Sequence, residues 1–227
     1  MIHKLITRLF LQFFGKMSSK YSDEKIDMHP KSWLSVYQNL SYWYLLKMGL
    51  FYSGLGLVAA LSITGIEYFV FDYEEPGPPI SFIQIVLAGP IEETLLFGIP
   101  FALSGNHFVV LVTGALWAGV HIFNSTYVEE GSFSYSTVGF AIPHIFFSLR
   151  AWKSGKGWFT IPFHSAWNAM LFGISVALGE IPLMIIDESF PEIDIVMIVF
   201  SAILVGITYP LYSWRLKREN KKKLEKS

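Results

Sequence analysis

Glu92 and Glu93 stand side by side within an apolar stretch, residues 81–103, that is long enough to cross a bilayer and holds no Lys or Arg. A carboxylate at the bilayer centre costs roughly 2.5–3.5 kcal/mol on insertion scales, so an acidic pair there marks a functional site by default. Consecutive residues of a helix do not face the same way, so the two glutamates cannot play identical roles. The rest of the chain supplies partners. Trp117 and His121 in WAGVH share one helical face, and His164 and Asn168 in HSAWN share another, each pair four residues apart. A carboxylate beside an imidazole is the pair that activates water, with burial tuning the base toward neutrality. A second imidazole and an amide aimed at the same point can donate to the oxyanion of a hydrolysed carbonyl. Such a hydrolase needs no Ser or Cys nucleophile, and this chain has no cysteine.

Simpler readings stand beside these. An isolated Asn in a membrane helix commonly acts as interhelical glue worth ~0.6–2 kcal/mol. His144 in AIPHIFF reads as a structural histidine bonded to a backbone carbonyl. His107 lies at a span end and reads as interfacial, while His3 and His29 fall outside the spans. Glu67 sits near the outer end of its span, where a solvated carboxylate is expected. A paired-carboxylate span also suits a proton-coupled transporter, but no internal repeat of the kind many transporters carry is evident.

The elements that must position these groups follow from composition. The 227 residues are 52% hydrophobic and 15% charged, against about 25% charged in a soluble domain, so the chain belongs to the membrane class. Apolar runs predict six spanning helices over 45–71, 81–103, 108–126, 133–149, 158–179 and 194–214. The expected fold is therefore all-α, a polytopic membrane helix bundle. The seventeen Lys and Arg fall only within 4–47, 150–156 and 215–226, whereas Asp and Glu dominate the alternate connections. The positive-inside rule then puts both termini in the cytoplasm of a cell-membrane protein.

Ile2, Leu5, Ile6, Leu9 and Phe13 recur at helical spacing among Lys4, Arg8 and Lys16, which predicts an interfacial helix lying in the membrane plane. The alternative is a cleaved leader, which needs an unbroken apolar core and a small-residue cleavage site. The resulting organisation is an amphipathic helix and linker over 1–40, a first span and acidic loop over 41–80, a core over 81–215 and a basic tail over 216–227. Counting about 1.5 Å per residue from the cytoplasmic span ends puts Glu92 near 16 Å, Asn168 near 15 Å, His121 near 20 Å and His164 near 9 Å, close enough to allow convergence. Pro90, Pro100 and Pro162 flank this region, and Gly89-Pro90 predicts a bend that would help open a watered cavity.

Three motifs in this order resemble the CPBP intramembrane proteases, also known as CAAX prenyl protease or Abi proteins. That family carries EExxxR, FxxxH and HxxxN (or HxxxD) on separate membrane helices. This chain has EETLLF at 92–97, WAGVH at 117–121 and HSAWN at 164–168, and the resemblance spans about residues 81–215. Phe97 stands where the family usually has Arg, and Trp117 where it has Phe. The first change removes a cation that could pair with a carboxylate, and the second keeps an aromatic wall. The resemblance implies that Glu92 with His121 activates water, that His164 and Asn168 stabilise the oxyanion and that Glu93 supports the site. It implies a membrane-embedded endopeptidase acting on a peptide or lipidated protein, with CAAX-type prenyl-protein processing as one substrate class and no nucleic-acid partner. It favours catalysis without a metal cofactor. Two His and a Glu would also suit a catalytic zinc shell, although no HExxH is present. The alternative function is a catalytically inactive scaffold, or a bacteriocin-immunity-type protein, of the same fold. The oligomeric state is not encoded in any feature of the sequence.

Overall fold

The computed structural model describes residues 40–71, 81–122, 136–179 and 182–225. The expected interfacial helix and its linker lie outside these residues, as do Asp72, Glu74, Glu75, Glu129, Glu130 and Glu180. The described chain is helical, with no strand among those residues. In order it comprises α1 (Tyr42–Phe71), α2 (Phe82–Glu92), a π-helical turn (Glu93–Gly98), α3 (Ile99–Ser104), α4 (His107–Ile122), α5 (Ser136–Lys153), a 3-10 turn (Gly157–Phe159), α6 (Thr160–Leu178) and α7 (Pro191–Leu224). Residues at both junctions of the π turn keep right-handed helical dihedrals, so α2, the turn and α3 run on as one helix. One continuous helix thus answers to each expected span.

Four of the six are long and apolar enough to cross a membrane: Tyr42–Ile66, Phe82–Ser104, Gly157–Leu178 and Pro191–Arg218. The described part of α4 is apolar but shorter. Helix α5 has 18 residues, yet it carries Arg150 and Lys153 in its last turn and His144 and Ser148 further in. Its polarity has a structural reason, because that polar face is turned inward.

The bundle has an apolar exterior as well as a buried core that includes polar groups. Val58, Leu61, Leu103, Phe108, Leu116, Val120, Val196 and Val199 are exposed, whereas Glu93, Thr94, Ser148, Thr160, His164 and Thr208 are buried. Contiguous exposed apolar faces of this extent are untenable in water and natural in lipid. The chain is an integral membrane protein.

Helices α1 and α5 pack together, as do α2 and α6, α4 and α5, and α2 and α7. At one end of the bundle, Gly105 turns the chain between α3 and α4 with φ of 63°, and its N–H bonds to the Phe101 carbonyl. A Cβ there would fall 1.3 Å from the Arg215 guanidinium at the end of the apolar part of α7. Gly155, in the α5–α6 connection, faces Leu216, and the Lys156 ammonium donates to the Leu40 carbonyl before α1. The connections assigned to the basic side therefore do meet at one end. At the other end, the Ser81 hydroxyl accepts from the Gln84 N–H at 3.1 Å and donates to Asp194 at 2.8 Å. The next two amides of α2, Phe82 and Ile83, donate to the carbonyls of Met184 and Ile185 at 2.8 and 3.3 Å. The unpaired donors of this helix start are thereby satisfied by the segment leading into α7.

Prolines set the local shape around the glutamates. Pro90 lacks the N–H that would bond the Val86 carbonyl, and the Ser165 hydroxyl of α6 donates to that carbonyl at 2.9 Å instead. Pro100 frees the Leu96 carbonyl in the same way, and the Thr113 hydroxyl of α4 takes it. Freed carbonyls are tolerated at membrane depth only when protein or water satisfies them, and here neighbouring helices do so. At Gly89 the helix makes a tight crossing with α6, where a Cβ would lie 2.7 Å from the Ser165 amide nitrogen. The widening of the helix comes after Glu92, where the Ile99 N–H reaches back five residues to the Thr94 carbonyl. Single π turns of this kind occur often at functional sites.

Candidate active site

The π turn splits the glutamates between two surroundings. Glu93 is fully buried and faces α5 and α6. Its Oε1 lies 2.5 Å from His144 Nε2, and the Ser148 hydroxyl is 3.0 Å from both of its oxygens. Its Oε2 accepts from the Thr160 hydroxyl at 2.7 Å and from the Trp152 indole at 3.4 Å. Thr160 shares its single proton with the Gly157 carbonyl at 2.8 Å. Both oxygens of Glu93 are thus engaged by donors, and none is left for a reacting water.

Glu92 is different. Its side chain is 17% exposed, with Oε1 3.3 Å from His121 Nε2 and Oε2 3.6 Å from His164 Nε2. His121 Nδ1 lies 2.8 Å from the Trp117 carbonyl, one turn back on α4. A carbonyl can only accept, so Nδ1 carries the hydrogen and the face toward Glu92 is Nε2. One proton shared between Glu92 and His121 Nε2 makes that contact favourable. A partly exposed carboxylate paired with an imidazole is the arrangement of a general base.

His164 bridges the two carboxylates. Its Nδ1 is 3.3 Å from Glu93 Oε1, although the direction falls short of a hydrogen bond, and its Nε2 faces Glu92. The depth estimate from sequence put His164 well below the other groups; the structure sets it level with them. Asn168 lies on the same face of α6, but its amide donates to the Ile85 carbonyl at 3.2 Å. That position is the glue role, and oxyanion donation would require the amide to turn. If Asn168 serves only as glue, Asn168→Ala costs about 1 kcal/mol of stability and leaves kcat within threefold. An oxyanion donor would instead cost about 10²–10³ in kcat, so steady-state kinetics beside a thermal melt separates the two.

Trp117 is the wall common to these groups. Its ring centroid lies 4.9 Å from that of His121, 5.3 Å from His144 and 6.3 Å from His164. Phe97 is fully buried and meets Trp117 and His144 edge-on at 6.0 and 5.8 Å.

The surroundings of Glu92 and Glu93 thus agree with the three motifs in placing a carboxylate–imidazole centre inside a helical bundle. Residues 75–170 match the Rce1-like family of type II CAAX prenyl endopeptidases. The matched segment contains all three motifs and bears out the resemblance read from them. It includes α2 to α5 and the first half of α6, and it leaves out α1 and α7. No curated protein and no solved structure matches the chain.

Within the Rce1-like segment the sequence reading missed His144. The expected backbone carbonyl is not its partner at Nε2; Glu93 is. A signal was present, because His144, Ser148 and Trp152 are spaced four apart and share one helical face. Thr160 continues the His164–Asn168 face by the same spacing. Phe97 packs against the His144 ring, and that imidazole stands beside Glu93.

Among the described residues, Glu93, His144 and His164 form the one group of three whose ligand atoms lie within 4.8 Å of one another. The group is a poor fit for zinc. Ligands about 2.0–2.1 Å from a tetrahedral ion stand more than about 3 Å apart, whereas His144 and Glu93 are at hydrogen-bond distance, 2.5 Å. Both Glu93 oxygens are also engaged by hydroxyl and indole donors. Neither Glu92 nor His121 belongs to the group.

Proposed function

We propose that this protein is an intramembrane endopeptidase that hydrolyses a peptide bond with water activated by Glu92 and His121. The observation that carries the reading is the Glu92–His121 contact of 3.3 Å at a carboxylate that retains solvent exposure, next to a second carboxylate that has none. The Rce1-like match over residues 75–170 supports the same activity class.

In this mechanism Glu92 takes a proton from water as the oxygen attacks the scissile carbonyl carbon. The carbon–oxygen double bond becomes an oxyanion, to which His164 Nε2 donates, with the Asn168 amide as second donor once it turns from Ile85. Glu92 and His121 then deliver the proton to the departing amine nitrogen as the carbon–nitrogen bond breaks. Excluding bulk water from the bundle interior strengthens each of these charge interactions. The substrate class that the family suggests is a prenylated carboxy-terminal CAAX segment, held with its lipid against the apolar exterior. The protein itself resides in the cell membrane with both termini in the cytoplasm, and it works without a metal.

The test is cleavage of a quenched fluorogenic, prenylated CAAX peptide by purified protein in detergent, with and without a chelator. Turnover that resists the chelator is expected. Turnover lost on chelation and restored by zinc would move the chemistry to a metal. Absence of turnover across a wider panel of lipidated and unlipidated peptides would leave the inactive scaffold as the reading.

A further inference from the structure

His144 lies outside the three motifs, yet it is the nearest neighbour of Glu93 at 2.5 Å. Its ring is clamped. The His164 ring lies against it, tilted by 53° with centroids 4.5 Å apart, Trp117 lies at 5.3 Å, Phe97 at 5.8 Å and Phe147 at 6.2 Å. The imidazole therefore reaches His164 by two routes, through the shared Glu93 oxygen and through direct ring contact. His164 has little else to hold its inner nitrogen, because Nδ1 is buried, has no hydrogen-bond partner and only approaches Glu93 at 3.3 Å. His144 makes no contact with Glu92, so it lies one step away from the reacting atoms.

We propose that His144 is a positioning residue: it fixes Glu93 and the His164 ring together so that His164 Nε2 faces Glu92. The inference rests on the endopeptidase reading and adds a residue to it. Bound this way, the five groups form one line: His144, Glu93, His164, Glu92 and His121. Imidazole and carboxylate alternate along it, with contacts of 2.5, 3.3, 3.6 and 3.3 Å. The line ends on the Trp117 carbonyl at 2.8 Å. Removing the first imidazole leaves Glu93 Oε1 held by the Ser148 hydroxyl alone and removes the ring that abuts His164. The hydrogen-bond donor of His164 then spends less time at the oxyanion, which lowers kcat without altering substrate affinity.

The test compares His144→Leu, which keeps the bulk and removes the nitrogen, with His144→Gln, whose amide returns a donor near the Nε2 position. A loss of about 10–100-fold in kcat is expected for His144→Leu, with KM within twofold and most of the loss recovered in His144→Gln. Combined with Glu93→Gln, His144→Leu should add almost nothing to the loss, since both act through one link. Unchanged kcat in His144→Leu, a change confined to KM, or additive losses in the double variant would each overturn the proposal. So would an equivalent of zinc that copurifies with wild type and disappears in His144→Leu, which would make His144 a ligand. Thermal midpoints in detergent of wild type, His144→Leu, Glu93→Gln and their double variant give a readout free of activity. Coupling between His144 and Glu93 is expected there, and its absence would sink the pairing. Wild type without turnover would defeat the endopeptidase reading, while the thermal cycle would still decide the His144–Glu93 link.

Discussion

Glu92→Gln should lower turnover by about three orders of magnitude while leaving the thermal midpoint in detergent close to wild type. General acid–base groups contribute about 10²–10⁴ in rate, and a factor of about 10³ corresponds to roughly 4 kcal/mol of barrier. The loss is not softened by the neighbouring carboxylate, because Glu93 cannot stand in. Its oxygens are engaged by Ser148, Thr160, Trp152 and His144, and it has no exposure. Glutamine matches glutamate in size and can still meet His121 and His164 with its oxygen or amide. The fold therefore has little to lose, whereas the proton acceptor is gone. Binding of substrate should persist, so the loss belongs in kcat with KM nearly unchanged. A variant that keeps a tenth or more of wild-type turnover would remove Glu92 from the base role. A variant that unfolds would show instead that Glu92 is structural.

The sequence made the membrane class and the six helices legible, because each depends on apolar run length. It also announced Glu92, Glu93, His121 and His164, since ionisable groups inside spans are rare enough to stand out. The different fates of the glutamates were partly legible from helical geometry. Which of them would be buried was not, because that depends on the π turn beginning at Glu93. His144 was read as a structural histidine bonded to a backbone carbonyl, because a single histidine near a proline does not name its partner; only the stripe with Ser148 and Trp152 points to Glu93. Asn168 was correctly set on the His164 face, but a face does not say whether an amide meets a substrate or a neighbouring carbonyl. The amphipathic amino-terminal helix lies outside the described residues.

Gly89→Val should strongly lower stability, and activity should fall with it. Gly89 is where α2 crosses α6: a Cβ there would sit 2.7 Å from the Ser165 amide nitrogen and 2.8 Å from its hydroxyl oxygen. A side-chain end could swing aside, but a backbone nitrogen inside a helix cannot, so the helices must separate. Separation breaks the Ser165 bond to the Val86 carbonyl and the Asn168 bond to the Ile85 carbonyl. Overpacking costs about 1–3 kcal/mol, and a buried acceptor left unpaired costs about 1–3 kcal/mol more. Val86 has no second donor to turn to, because Pro90 has already removed the helical one. A shift of about 1 Å between Glu92 on α2 and His164 on α6 would itself lower turnover about 10²-fold. Gly173→Ala is the control on the same helix pair: nothing lies within 4 Å of a Cβ at that position. It should be neutral or stabilising by about 0.5–1 kcal/mol, as removal of an unconstrained helical glycine predicts. Thermal midpoints of both variants in one detergent decide the matter. A Gly89→Val protein as stable as Gly173→Ala would mean that α2 and α6 do not cross this closely, and the placement of His164 beside Glu92 would fall with that crossing.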